Sequence, residues 1–103
     1  MASGLQAFSR PSAATWTQMF TASTPIVVNV SATNRASTQT DVSIAAVPNG
    51  GSRGPEHEIE AGTDVAASAV IERTGIVLNT GDSLHVNSAN GDVAFGIWGV
   101  ELS

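Results

Sequence analysis

Apolar residues recur at every second position in several short runs, the period of an extended chain whose successive side chains face opposite ways. The strongest is Ile26-Val27-Val28-Asn29-Val30-Ser31, which sets Ile26, Val28 and Val30 on one face and Asn29 and Ser31 on the other. After a turn at Asn34-Arg35-Ala36-Ser37, Asp41-Val42-Ser43-Ile44-Ala45-Ala46-Val47 resumes the alternation with Val42, Ile44 and Ala46 inward. These two runs are expected to form a hairpin or a pair across two sheets. Leu84-His85-Val86-Asn87 repeats the pattern, with His85 and Asn87 outward. Trp16-Thr17-Gln18-Met19-Phe20 predicts a first strand, with Trp16, Gln18 and Phe20 sharing a face, ended by Ser23-Thr24-Pro25.

The last third departs from simple alternation. In Asp92-Val93-Ala94-Phe95-Gly96-Ile97-Trp98-Gly99-Val100, Val93, Phe95 and Ile97 fill one face while Ala94, Trp98 and Val100 load the other. A small sandwich has one interior, so the second apolar face is expected to meet another subunit or a larger particle.

Between these runs the chain is punctuated by turns. Residues 48–55 are too rich in glycine and proline for regular structure and predict the longest loop, the one expected to move or make contacts. Glu56-His57-Glu58-Ile59-Glu60 follows as an expected edge strand, where charge blocks unwanted pairing. Ala66-Ala67-Ser68-Ala69-Val70-Ile71-Glu72-Arg73 is expected to be strand rather than helix, because it is short and leads into β-branched Ile76-Val77. Thr80-Gly81-Asp82 and Asn90-Gly91-Asp92 predict turns in which glycine supplies a positive φ. Turns about every ten residues fit a sandwich or small barrel. The expectation is an all-β protein: a single-domain antiparallel β-sandwich, jelly-roll-like, over residues 15–103. Residues 1–14 are expected to form an extended arm with Leu5 and Phe8 as its only anchors and Pro11 as a breaker.

Composition narrows the function classes. The 103 residues suit one domain that buries roughly two-thirds of its unfolded surface. No cysteine is present, which excludes a disulfide framework and cysteine metal sites. The basic set is Arg10, Arg35, Arg53 and Arg73 against nine acids, a formal charge of -5, so nucleic acid is not an expected partner. Charged residues make up 13%, against about 25% in typical domains, leaving a surface of small and neutral residues suited to packed assemblies. Met1-Ala2-Ser3-Gly4-Leu5 has no basic or long apolar run, and no segment approaches the ~20 apolar residues of a membrane span. A soluble protein made in a cytoplasm, with no membrane partner, is expected.

Candidate chemistry is sparse. His57 sits between Glu56 and Glu58, but alternation along a strand would put it on the opposite side from them. Glu56, Glu58 and Glu60 would then align on one face as a solvated edge rather than a cation site. His85 is an outward imidazole that would titrate at an interface only if a partner buried it. Asn49-Gly50-Gly51-Ser52-Arg53-Gly54 lacks the lysine and following helix of a phosphate loop, and no GxSxG is present. No nucleophile, base and orienting group can be assembled, so neither catalysis, a metal nor a cofactor is expected. Trp98 is instead a candidate interface anchor, since tryptophan is enriched among binding hot spots.

Four segments together resemble the small virion structural proteins of tailed bacteriophages, cyanophages and other marine phages in particular. They are Thr33-Asn34-Arg35 after a Val-rich strand; Val70-Ile71-Glu72-Arg73-Thr74-Gly75-Ile76-Val77-Leu78; Gly81-Asp82-Ser83-Leu84-His85-Val86; and Ile97-Trp98-Gly99-Val100-Glu101. The resemblance spans residues 16–101; its most specific piece is Glu72-Arg73-Thr74-Gly75-Ile76-Val77-Leu78, and the loop 48–55 and the arm depart from it. It implies a β-sandwich subunit added to the virion. The leading expectation is a capsid decoration (cement) protein, a homodimer or homotrimer on the major capsid protein, assembled in the host cytoplasm. The alternative is a tail, collar or fibre module, an adhesin whose reader is the loop 48–55. Expected contact residues are Trp98 and Val100, then Leu5, Phe8 and Arg53, with Glu72 and Arg73 on opposite sides of their strand and one of them in an intersubunit ion pair.

Overall fold

The computed structural model describes residues 4–101, with side chains from Gln6 onward. Eight strands account for almost all regular structure: β1 (Gly4–Ser9), β2 (Thr17–Thr21), β3 (Ile26–Asn34), β4 (Thr40–Val47), β5 (Glu58–Val65), β6 (Val70–Leu78), β7 (Ser83–Ser88) and β8 (Val93–Glu101). They form two four-stranded sheets, ordered β1-β8-β3-β6 and β2-β7-β4-β5, antiparallel throughout. Each connection between consecutive strands up to β4, and from β5 onward, crosses from one sheet to the other. This is the jelly-roll order, a double Greek key. β3 and β4 are therefore a cross-sheet pair and not a hairpin; the hairpin is β4 with β5.

Alternation explains the core. Ile26, Val28, Val30 and Ala32 from β3 meet Val93, Phe95 and Ile97 from β8 in one inner layer. Val42 and Ile44 from β4, with Leu84 and Val86 from β7, supply the facing layer, and Val65 and Leu78 close the ends. Every one of these is at most 2% exposed. Burial of such aliphatic and aromatic side chains stabilises by about 1.5–3 kcal/mol each.

Several local expectations change. Residues 4–9 of the segment expected as an arm enter the first sheet as β1, pairing residue for residue with β8, while residues 1–3 lie outside the described residues. Trp16 precedes β2 instead of starting it, and a bulge between Gln18 and Phe20 breaks their common face, leaving Met19 and Phe20 both packed on the core. Glu56 and His57 lie in a 3-10 turn, Pro55–His57, so the three glutamates do not align on one strand face. The turn forms because Pro55 presets φ and the Gly54 amide donates to His57 Nδ1 (3.0 Å). Residues 66–69 make a turn, with the Ala69 amide on the Ala66 carbonyl (3.1 Å), and the strand begins only at Val70. Gly81 has φ +88, but Gly91 does not take a positive φ. Asn90 does its work, its Oδ1 accepting from the Asp92 amide at 2.9 Å.

Asn34 locks one end of the sandwich. It is fully buried at the end of β3; its carboxamide donates to the carbonyls of Thr38 (2.8 Å), Val65 (3.1 Å) and Ala66 (3.2 Å) and accepts from the Ala36 amide (3.0 Å). One side chain thus ties the β3–β4 turn to the β5–β6 turn.

Candidate functional site: an uncovered sheet face

The two outer faces of the sandwich are treated differently by the fold. On the β2-β7-β4-β5 sheet, Ala45 pairs with His85 and Val47 with Ser83 at outward register positions. Ala45 and Val47 are nonetheless 0% and 2% exposed and stand outside the core cluster. The loop 48–55 folds back against one end of this face: a Cβ at Gly51 would sit 3.8 Å from Val47 Cγ1. The Arg53 guanidinium stacks 4.1 Å from the Trp16 ring centroid, a cation–π contact that holds the loop against the chain entering β2.

Nothing in the described residues covers the outer face of the β1-β8-β3-β6 sheet. The register places Val100, Val27 and Val77 side by side across β8, β3 and β6. The next row holds Gln6, Trp98 and Asn29, the next Phe8, Gly96, Ser31 and Glu72, and the last Ala94, Thr33 and Val70. All the exposed large hydrophobic residues among those described fall on this face: Phe8 78%, Val77 60%, Val70 and Val100 53%, and Trp98 37%. Phe8 lies over Gly96, where an added Cβ would come within 3.4 Å of its ring. Glu72 is the one carboxylate at an outward register position in this sheet.

The residues expected to make contacts are thereby sorted. Phe8, Trp98 and Val100 share this face, and Glu72 borders it. Leu5 pairs with Gly99 in β1, and its side chain lies outside the described residues. Arg53 is on the opposite side of the sandwich, stacked on Trp16. Arg73 does not join them: opposite Val30 in the register, it turns to Glu60 of the facing sheet, Nε to Oε2 3.3 Å, and so has a partner within its own chain. Val77, Val70 and Val27 are absent from the sequence-derived set. The signal for Val27 and Val77 was present in Ile26-Val27-Val28 and Ile76-Val77-Leu78, where unbroken apolar runs load both faces as they do in β8.

His85 Nε2 is 2.9 Å from Ser83 Oγ, and burial first, then the nearby Arg53 charge, hold its pKa below the ordinary imidazole value. His57 is occupied as acceptor from Gly54 and lies 4.0 Å from the Glu56 carboxylate. Asp41 and Asp64 face each other across β4 and β5, and the hydrogen bond between the two carboxyls raises the pKa of Asp41. Among the described residues no group of three or more histidines and carboxylates is close enough to hold a metal ion. Comparison with family models, with curated proteins and with solved structures finds no match for the chain.

Proposed function

We propose that this chain is a capsid decoration (cement) protein of a tailed bacteriophage, binding the outer surface of the major capsid lattice through the outer face of the β1-β8-β3-β6 sheet. The observation that carries the reading is the segregation of exposed large apolar side chains to that face, while the apolar outward residues of the opposite face, Ala45 and Val47, are buried. A sandwich with one uncovered apolar face and few charges has the anatomy of a subunit designed to be buried. The resemblance of Glu72-Arg73-Thr74-Gly75-Ile76-Val77-Leu78 to phage virion proteins supplies the setting. Jelly rolls serve capsid, lectin and cupin roles alike, so topology does not choose among them.

The action is binding without chemistry. Apolar area removed from water contributes about 25 cal/mol per Å², offset by the loss of rigid-body freedom on association. Trp98, central on the face, is the anchor, and the valines around it exclude water. A subunit that binds only the expanded lattice stabilises it by mass action, and many copies on one shell compound the effect.

The test is the stoichiometry of this chain against the major capsid protein in purified virions, together with incorporation of Val77→Glu. Decoration predicts a ratio near one or a fixed large fraction, and loss of the variant from particles. A few copies per particle, in multiples of six or twelve, would place the chain in the tail or collar instead.

A further inference from the structure

We propose that two copies of this chain join edge to edge through β1, antiparallel across a two-fold axis, fusing their β1-β8-β3-β6 sheets into one eight-stranded sheet. This deepens the decoration reading by naming the subunit that presents the apolar face.

The sandwich has four sheet edges, and three of them are blunted. β2 is bulged between Gln18 and Phe20. β5 carries two register shifts and the charges of Glu58, Glu60 and Asp64. β6 is interrupted where Thr74 and Gly75 oppose Asn29, with Gly75 at φ +69 and its amide bonded to Asn29 Oδ1 (3.0 Å), and it bears Glu72 and Arg73. Bulges and edge charges are the devices that prevent strand addition. β1 has none of them. It pairs with β8 from Gly4 to Ser9 without a register shift, and it contains no charged residue and no proline. Among the described residues no strand pairs with its far side, which leaves backbone donors and acceptors along that edge.

A second copy is the occupant this edge fits. A chain of formal charge -5 repels itself, yet β1 is neutral, and the carboxylates of the strands sit on β4, β5, β6 and the end of β8. Two acidic copies therefore meet here without opposing like charges. A strand laid antiparallel on itself satisfies both free edges with the same groups, which is the isologous contact of a two-fold dimer. It also accounts for Phe8, the most exposed large apolar side chain among the described residues, whose single cross-strand neighbour is Gly96, a residue with no side chain. In the joined sheet Phe8 gains a second neighbour from the partner strand.

The joined sheet doubles the apolar face. Four strands about 4.8 Å apart and about 30 Å long project on the order of 600 Å² per copy, short of the ~800 Å² a side of a standard stable interface. Two fused copies exceed it.

The test combines mass by light scattering with amide exchange across a concentration series. The wild type is expected to show twice the 10.5 kDa of one chain. Amides of β1 are expected to gain protection as concentration rises, at alternate residues directed away from β8. Gln6→Lys, which puts a charge on the exposed side of β1, should give a folded monomer by circular dichroism, and Val77→Glu, on the opposite edge strand, should remain dimeric. A wild type that stays monomeric at millimolar concentration overturns the inference, as does a dimer that Val77→Glu dissociates or whose β1 amides gain no protection. Failure of the decoration reading looks different: a β1 dimer intact in solution, with Val77→Glu still taken up by virions.

Discussion

The Arg73 guanidinium and the Glu60 carboxylate, 3.3 Å apart, join the edge strand of one sheet to the edge strand of the other. Glu60 is paired with Ile44 in the register, so it points into the gap between the sheets, where it also accepts from Thr63 Oγ1 at 2.6 Å. Its side chain is 15% exposed against 49% for Arg73, so the pair seals an open side of the sandwich at the boundary of water and core. Inward charge of this kind also protects both edges from strand addition. Arg73→Ala should destabilise by about 1 kcal/mol, more than an exposed pair provides and less than a fully buried one. Chemical denaturation of Arg73→Ala, Glu60→Gln and the double variant measures the coupling; a value of zero would mean the contact carries no energy.

Removing the Asn34 carboxamide should cost more. Asn34→Ala strands three turn carbonyls and one amide at a buried position, and an unmet buried partner costs about 1–3 kcal/mol. A loss of about 3 kcal/mol is expected by urea titration, with Asn34→Asp also destabilised because a carboxylate cannot donate to those carbonyls.

The His85 imidazole provides a pH test with a defined sign. Burial and the Arg53 charge depress its folded pKa below the unfolded value of about 6.5, so between the two the unfolded chain binds more protons. Its stabilising contribution is complete above about pH 6.5 and is lost as pH falls through the depressed folded value. Arg53→Gln removes the second cause and leaves the first. The His85 titration followed by NMR should move up toward the ordinary value without reaching it, and Trp16 fluorescence should change as the stacked guanidinium is lost.

Gly99 tests how tightly β8 and β3 approach. A Cβ there would collide with the Val27 carbonyl oxygen and stand 2.9 Å from Val28 Cα, both backbone atoms that cannot swing away. Gly99→Ala should cost about 1–3 kcal/mol, as overpacking does. An unchanged thermal midpoint would show that the strands relax apart at this point.

Period-two alternation in a sequence carries local information: which residues of a strand share a face. It sufficed for Val28, Val30, Phe95, Ile97, Leu84 and Val86, because core burial enforces register and a slip of one residue would turn each run to water. It also marked β8 as apolar on both sides. It failed where turn and bulge geometry intervene, at Met19, at the Pro55–His57 turn and at residues 66–69, since a bulge adds a residue without changing composition.

Alternation cannot say which outer face stays open, because that depends on what folds back from elsewhere. Ala45 and Val47 look as available as Val27 and Val77 in the chain, yet the first pair is buried, with the loop 48–55 folded back against Val47, and nothing among the described residues covers the second. The sequence by itself determined the all-β class, the core and the presence of surplus apolar side chains. Only tertiary structure decided that Phe8, Val70, Val77, Trp98 and Val100 come together on one sheet, that Arg73 is spent on Glu60, and that β1 is the unguarded edge. These are relations between residues far apart in sequence, set by strand order and cross-sheet connection, and hydrophobic burial alone does not encode them.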